Sequence, residues 1–263
     1  MSGRSRLASS SPRYRNPRVK PAWYATRQRS ITQAQKRAEK RLWPTLGLAF
    51  SYNAPLDLGQ AFGRDAPTVL EIGCGAGEAL TALASARPDT NFLGVDWFRS
   101  GLATCCSRIE ELGLSNVRLV KADAATLLER GLPDRTPLFD EALIFFPDPW
   151  AGSDDRKMVR ADVIDDLSRR MRPNGILHVA TDVAGYPDHV RGVMSTGARA
   201  SQWTPIDSTG RWRPSTRYER EGLAAGRTVE DLCFAFTADD AFICDHDGHA
   251  AAAESDSESM SAA

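Results

Sequence analysis

Five acidic residues stand at or just past the ends of short apolar runs: Glu71, Asp96, Asp123, Asp148 and Asp182. Carboxylates in such places can accept hydrogen bonds from an ammonium group, ribose hydroxyls or the N–H edge of a base. A solvated loop would explain any one of them; their shared placement argues for one site. Between the first two lies Gly73-Cys74-Gly75-Ala76-Gly77-Glu78. Glycines there let the backbone turn sharply and a ligand approach closely. A pyrophosphate loop wants G-x-G-x-x-G. Here the last glycine comes one residue early, at Gly77, and Glu78 takes the third glycine position. Glu71 would repel a pyrophosphate but could hold an ammonium. S-adenosylmethionine carries an ammonium, a sulfonium and a ribose but no phosphate, so the loop fits it better than NAD. Asp96, 19 positions after Gly77, is placed to accept the ribose hydroxyls.

These residues need strands and helices to position them. Thr68 to Ile72 reads as a buried strand. Ala79 to Ala86 reads as a helix stopped by Pro88, and Asn91 to Asp96 as the next strand. The alternation continues with a helix over 98–112, a strand over 117–122, a short helix over 124–130 and a strand over 141–146. A helix over 160–171 ends before Pro173-Asn174-Gly175. A strand over 176–181, a helix over 185–194 and a late strand over 229–236 follow. Such alternation predicts a doubly wound, mainly parallel α/β sheet with ligands beyond the carboxyl ends of the strands. Before it, Ile31 to Leu46 reads as a basic helix with Thr32 as N-cap, punctuated by Trp43-Pro44. Residues 47–67 read as an irregular entry.

The expected organisation is a basic arm or transit segment over 1–29, expected to be disordered, one folded domain over 30–237, and an acidic disordered tail over 238–263. A net charge of −1 hides this polarity. Residues 1–38 hold ten Lys/Arg and no Asp/Glu, whereas 238–263 hold seven Asp/Glu and no Lys/Arg. No apolar run reaches ~18 residues, so no transmembrane helix is expected. The arm lacks the apolar core of a secretory signal; its Arg- and Ser-rich, acid-free composition suits organelle import or nucleic acid, or a tail without a role. The five cysteines lack C-x-x-C spacing and read as reduced thiols of a cytoplasmic protein. The four histidines show no metal spacing, and no metal is expected.

From about Arg29 to Phe236 the chain resembles the tRNA (guanine-N7-)-methyltransferases of the bacterial single-chain type. The resemblance rests on Leu42-Trp43-Pro44, on Phe62-Gly63-Arg64-Asp65-Ala66-Pro67 before the glycine loop, and on Thr181-Asp182. Its most specific segments are Phe146-Pro147-Asp148-Pro149-Trp150 and Arg213-Pro214-Ser215-Thr216-Arg217-Tyr218-Glu219. It implies a Rossmann-like, class I S-adenosylmethionine-dependent methyltransferase with an N-terminal helical extension. By resemblance, Glu71, Asp96, and Asp123 with Ala124 would bind the cofactor beside the glycine loop. Asp148 would be the catalytic residue, Asp182 and Thr216 to Glu219 would hold the substrate, and tRNA would be the partner. One departure is plain. After Pro-Trp the family is long and basic, with a substrate-binding Lys. Here the segment is Ala151-Gly152-Ser153-Asp154-Asp155, with Gly152 where that Lys would be. Acidic side chains beside a phosphate backbone oppose binding.

Guanine N7 has a free in-plane lone pair and needs no deprotonation. Catalysis can therefore be mostly positioning plus stabilisation of the positive charge that moves onto the purine. A carboxylate facing N1–H and N2–H₂ would do this, Asp148 first, Glu219 or Asp182 second. Trp150 could stack on a base or anchor the core. Arg211, Trp212, Arg213, Arg217, Tyr218 and Arg220 mix basic and aromatic groups, as suits unstacked RNA. Two other classes stay open: a non-catalytic cofactor- or RNA-binding scaffold, and a methyltransferase acting on a small molecule or protein. The sequence leaves a protein partner open.

Overall fold

The computed structural model describes residues 31–51, 54–150, 152–209 and 213–237. The basic arm over 1–29, the acidic tail, Arg211 and Trp212 lie outside them. Thr32 caps the first helix, α1 (Gln33–Leu46), in a reciprocal box: its hydroxyl accepts from the Gln35 amide, and the Gln35 side chain accepts from the Thr32 amide. The helix continues through Pro44 and stops at Gly47. A two-residue strand follows, β1 (Gly47–Leu48), then a short helix, α2 (Leu58–Phe62), in the stretch expected to be irregular.

The central alternation runs β2 (Thr68–Ile72), α3 (Glu78–Ala86), β3 (Asn91–Asp96), α4 (Arg99–Glu111), β4 (Val117–Lys121) and α5 (Ala124–Thr126), with a single π turn over Leu127–Gly131. After it come β5 (Phe139–Phe145), a 3-10 turn over Asp154–Arg156, α6 (Ala161–Ser168), β6 (Met171–Thr181), α7 (Tyr186–Met194), α8 (Arg199–Gln202), β7 (Trp203–Ile206), α9 (Arg217–Ala224) and β8 (Glu230–Phe236). The sheet order is β1-β4-β3-β2-β5-β6-β8-β7. Every pair is parallel except β6–β8 and β7–β8. The doubly wound expectation therefore holds, with an antiparallel β8 inserted beside β6.

Alternate residues of the same strands build the two faces. Leu70, Ile72, Leu93, Val95 and Val120 join Val163, Ile164 and Leu167 of α6 and Val190 of α7. Val69, Phe92, Leu119 and Leu143 join Leu80 and Leu83 of α3 and Leu102 and Ile109 of α4. Helix α1 is tied to this second face rather than appended to it. Gln35 Nε2 donates to the Ser100 carbonyl and to Thr104 Oγ1, and the buried Glu39 carboxylate accepts from Arg99 Nε at 2.7 Å.

Two expectations about elements change. The helix expected over 160–171 ends at Ser168, because Met171 is fully buried and already pairs with Phe139. Pro173, Asn174 and Gly175 then bulge between the paired positions Met171 and Ile176, with Asn174 left-handed at φ 64°. Strand β7 was not anticipated. It is short and contains Pro205, which suits only a sheet edge. Trp203 anchors it, buried, with its indole N–H donating to Ser168 Oγ at 2.9 Å.

The chain leaves β2 outward to β3 and β4, then returns to β5 on the other side of β2. The crevice of such a sheet opens at this reversal, beyond the carboxyl ends of β2 and β5. Glu71 lies in one of these strands, and Asp148 follows the other.

Candidate active site

Glu71 forms the floor of the crevice. It is 4% exposed, and its Oε2 has no hydrogen-bond partner. Burial, then the negative charge of Asp96, push its carboxyl up to about 8. Past Ile72 the backbone turns through Gly73, Gly75 and Gly77, all left-handed, with φ of 78°, 52° and 75°. Only glycine takes these angles without strain. The Gly73 and Cys74 amides donate to the Val95 carbonyl, which ties the loop to β3.

Asp96 closes the loop. Its Oδ2 accepts from the Gly75 amide at 2.8 Å and its Oδ1 from the Phe98 amide at 2.6 Å. Each oxygen keeps a second lone pair for a ligand. Burial raises this carboxyl; the two amides oppose the rise, and the charge of Asp148 adds to it. Asp96 at the end of β3 and Asp148 beyond β5 thus flank the end of β2. Asp123 uses Oδ2 to cap α5, accepting from the Thr126 amide and hydroxyl, with Ala124 buried behind it. Trp97, which the sequence reading passed over, follows Asp96 directly. The Lys121 ammonium lies 5.1 Å from its ring centroid, and its buried indole N–H has no partner. Its only sequence signal was that position, next to the acid at the strand tip.

At the mouth of β5, Phe146 and Trp150 are both left-handed, with φ of 51° and 38°. Side chains this large rarely accept such angles, and strain of this kind gathers where a loop must be aimed. The Phe146 amide is held by the Ala180 carbonyl at 2.8 Å, and the Ser153 amide donates to Trp150 O at 3.0 Å. Between these fixed ends, Pro147 and Pro149 lock the backbone beside Asp148. The Asp148 side chain is exposed at the rim and has no hydrogen bond or ion pair with the described residues. Partial withdrawal from solvent still holds its carboxyl above the usual range. Trp150 is half-buried, with the Arg156 guanidinium 5.6 Å from its ring centroid, so it is not a core anchor. In the acidic loop Asp154 pairs with Lys157 at 2.7 Å. That bond, then the Lys157 charge, hold its carboxyl down.

The segment over 213–219 divides. Arg213, expected in the segment suited to RNA, is partly buried, with its side chain only 8% exposed. It bonds Asp231 at 2.9 Å and Glu219 at 2.7 Å, 5.3 Å from the Phe146 ring centroid. Asp231 also meets His178 Nε2 at 2.7 Å. Burial alone would raise Asp231; bonds from His178 and Arg213 outweigh it and hold the carboxyl to about 2. Glu219 is likewise held down, first by Arg213. Thr216 is buried and caps α9, accepting from the Glu219 amide at 3.3 Å. Arg217 and Tyr218 are exposed, with the guanidinium 4.9 Å from the Tyr218 ring centroid. Asp182 meets Arg227 at 2.8 Å and presses on α9; a Cβ on Gly222 would lie 2.4 Å from its Oδ2. The structure thus brings Glu71, Asp96 and Asp148 to one crevice. It sets Asp182 and Glu219 in ion pairs beside it.

A family described as "Putative methyltransferase" matches residues 65–232. A tRNA (guanine-N(7)-)-methyltransferase of Nitrosomonas eutropha is 36% identical over 217 residues, covering 80% of this chain and 94% of its own. One of Halorhodospira halophila is 36% identical over 226 residues, covering 83% and 96%. Among solved structures, the 16S rRNA methyltransferase KamB superposes with a TM-score of 0.51 at 18% identity, over 69% of this chain and 93% of its own. That likeness supports the fold, a Rossmann-like class I methyltransferase.

Proposed function

This chain belongs to the tRNA (guanine-N7-)-methyltransferase family and is an enzyme of that type; on that premise we propose which of its residues carry the transfer of a methyl group to N7 of a guanine in tRNA. The cofactor is S-adenosylmethionine, which supplies an electrophilic methyl on a sulfonium. The chemistry of the donor set fits it. Glu71 has an orphaned, buried carboxyl oxygen that an ammonium would satisfy. Asp96 has lone pairs left for ribose hydroxyls. The loop at Gly73 and Gly75 lets a ligand lie against bare backbone, while Gly77 packs on Cys105 of α4. Asp123 and Ala124 complete that side.

Asp148 carries the reading. It is a carboxylate without a described partner, held between two strained residues, with its charge felt inside the cofactor pocket. Facing the base, it accepts from N1–H and N2–H₂. Methylation at N7 makes N1–H more acidic, so that bond strengthens as the positive charge arrives. The stabilisation is therefore larger in the transition state than before it. Arg217 and Tyr218, with Trp150 and Arg156, offer charge and stacking surface to RNA. Asp182, Thr216 and Glu219 hold the segment that presents them. Incubation with labelled S-adenosylmethionine and bulk tRNA, followed by mapping, should place the label at N7 of guanine. Label on a protein or small molecule, or none despite cofactor binding, would support the other classes.

Asp96→Ala should weaken cofactor binding by about 1.5–3 kcal/mol, the range for a hydrogen bond to a charge. Calorimetry that finds unchanged affinity would remove Asp96 from the pocket. In the acidic loop, replacing Asp154 and Asp155 by lysine should tighten tRNA binding. The Asp154 change also frees Lys157, now paired with it. Each new phosphate contact should steepen the plot of log K against log salt by ~0.9 on a duplex. A double variant binding tRNA no better at low salt would mean that this loop does not face the RNA.

A further inference from the structure

Helix α9 carries the exposed Arg217 and Tyr218, yet Gly222 is its only buried residue. Without an apolar face, it must be held by polar contacts. At its C-terminal side Asp182, just past β6, takes Arg227 and packs on Gly222. At its N-terminal end the anchor is Glu78, the first residue of α3 and the one that displaces the third glycine of the dinucleotide pattern. Glu78 Oε2 accepts from the Arg217 backbone N–H, while Oε1 meets Arg108 at 3.3 Å and Arg220 at 3.5 Å.

The two anchors sit beyond β2 and β6, and β5 lies between these strands. Two steps across a sheet span about 10 Å. Eight helical residues, the length of α9, rise about 12 Å at 1.5 Å each. The helix therefore spans the carboxyl end of β5, from which the chain runs on to Asp148. We propose that Glu78 is a positioning residue that latches α9 across the Asp148 loop and couples the glycine loop to the substrate segment. A carboxylate at the start of α3 also complements that helix dipole, but this does not require a bond to a backbone amide 139 positions away. The proposal rests on the reading of α9 as substrate-binding. Its first test needs no methyl transfer.

Hydrogen exchange should be followed by mass spectrometry in the full chain, Glu78→Gln and Glu78→Ala, each with and without S-adenosylhomocysteine. In the parent, that ligand should slow exchange over residues 217–224. In Glu78→Ala, exchange there should be about tenfold faster and the ligand effect lost, while peptides of α3 keep their protection. Glu78→Gln should fall between, since an amide oxygen still accepts the Arg217 N–H but does not pair with arginine. Kinetically, KM for tRNA should rise about tenfold in Glu78→Ala, with cofactor affinity changed less than twofold. Unchanged exchange in α9, equal loosening of α3 and α9, or a loosened α9 with unchanged KM for tRNA would each overturn the proposal. A parent protein that does not methylate tRNA at all would sink the functional reading and leave the exchange result to judge the latch.

Discussion

Replacing Asp148 by alanine should lower turnover by about 10²–10³, the effect of removing one preorganised transition-state stabiliser. Cofactor affinity should change little by comparison. The removed charge lies outside the hydrogen bonds that hold Asp96 and the glycine loop. Relieving Asp96 of a neighbouring negative charge should, if anything, ease its ionisation. Asp148→Asn should recover little, because the amide keeps the shape but not the charge that opposes the cationic purine. Single-turnover measurements separate chemistry from binding and product release. Near-parental turnover in the alanine variant would mean that the stabilising charge sits elsewhere.

Glu71→Gln should move stability and cofactor binding in opposite directions. In the folded protein the Glu71 carboxyl is pushed to about 8, chiefly by burial, against about 4.3 in an unfolded chain. The unfolded chain thus loses this proton first. Glu71 therefore makes stability fall as pH rises from about 4.3 to about 8, and the loss levels off above that. Glutamine does not titrate, so the variant should be more stable than the parent above pH 8, by roughly 3–5 kcal/mol at about 1.36 kcal/mol per unit. The same change should weaken S-adenosylmethionine binding and flatten its pH dependence. In the parent, affinity should rise with pH toward 8, because an ammonium prefers the ionised carboxyl, and binding near pH 7 should release a proton. Calorimetry in buffers of different ionisation enthalpy counts that proton. An unshifted melting temperature at pH 8–9 would mean that burial does not raise the Glu71 carboxyl; a shifted one with no proton release on binding would place the ammonium away from Glu71.

The central sheet was readable from sequence because buried parallel strands are apolar runs and helices such as α3 and α4 stop just before a proline or glycine. Thr68–Ile72 and Asn91–Asp96 emerge within a residue of expectation. The short helices α2, α8 and α9 were missed, and so were two strands whose identity depends on a distant partner. β1 is a strand only because β4 offers it an edge, and β7 only because β8 does. Met171 looked like the end of a helix, yet pairing with Phe139 made it the start of a strand. The site divided in the same way. Glu71, Asp96 and the glycine loop are local, and their geometry follows from one strand–loop–helix–strand unit. Arg213 looked like a phosphate contact because its neighbours in sequence are basic. Its role is set by Asp231, 18 residues on, and by the Phe146 ring. The Glu78 contact to Arg217 crosses 139 residues, a distance no local pattern spans.

Helix α9 is attached through ion pairs at Glu78 and Asp182, with almost no apolar burial beneath it. Salt screens such attachments as well as phosphate contacts. A titration of tRNA affinity against ionic strength should therefore report two processes together: counterions leaving the nucleic acid, and α9, the helix proposed to hold the substrate, coming loose. The apparent number of phosphates contacted by this enzyme should exceed the true number. The excess should vanish if α9 is fixed to the strand ends by a covalent crosslink.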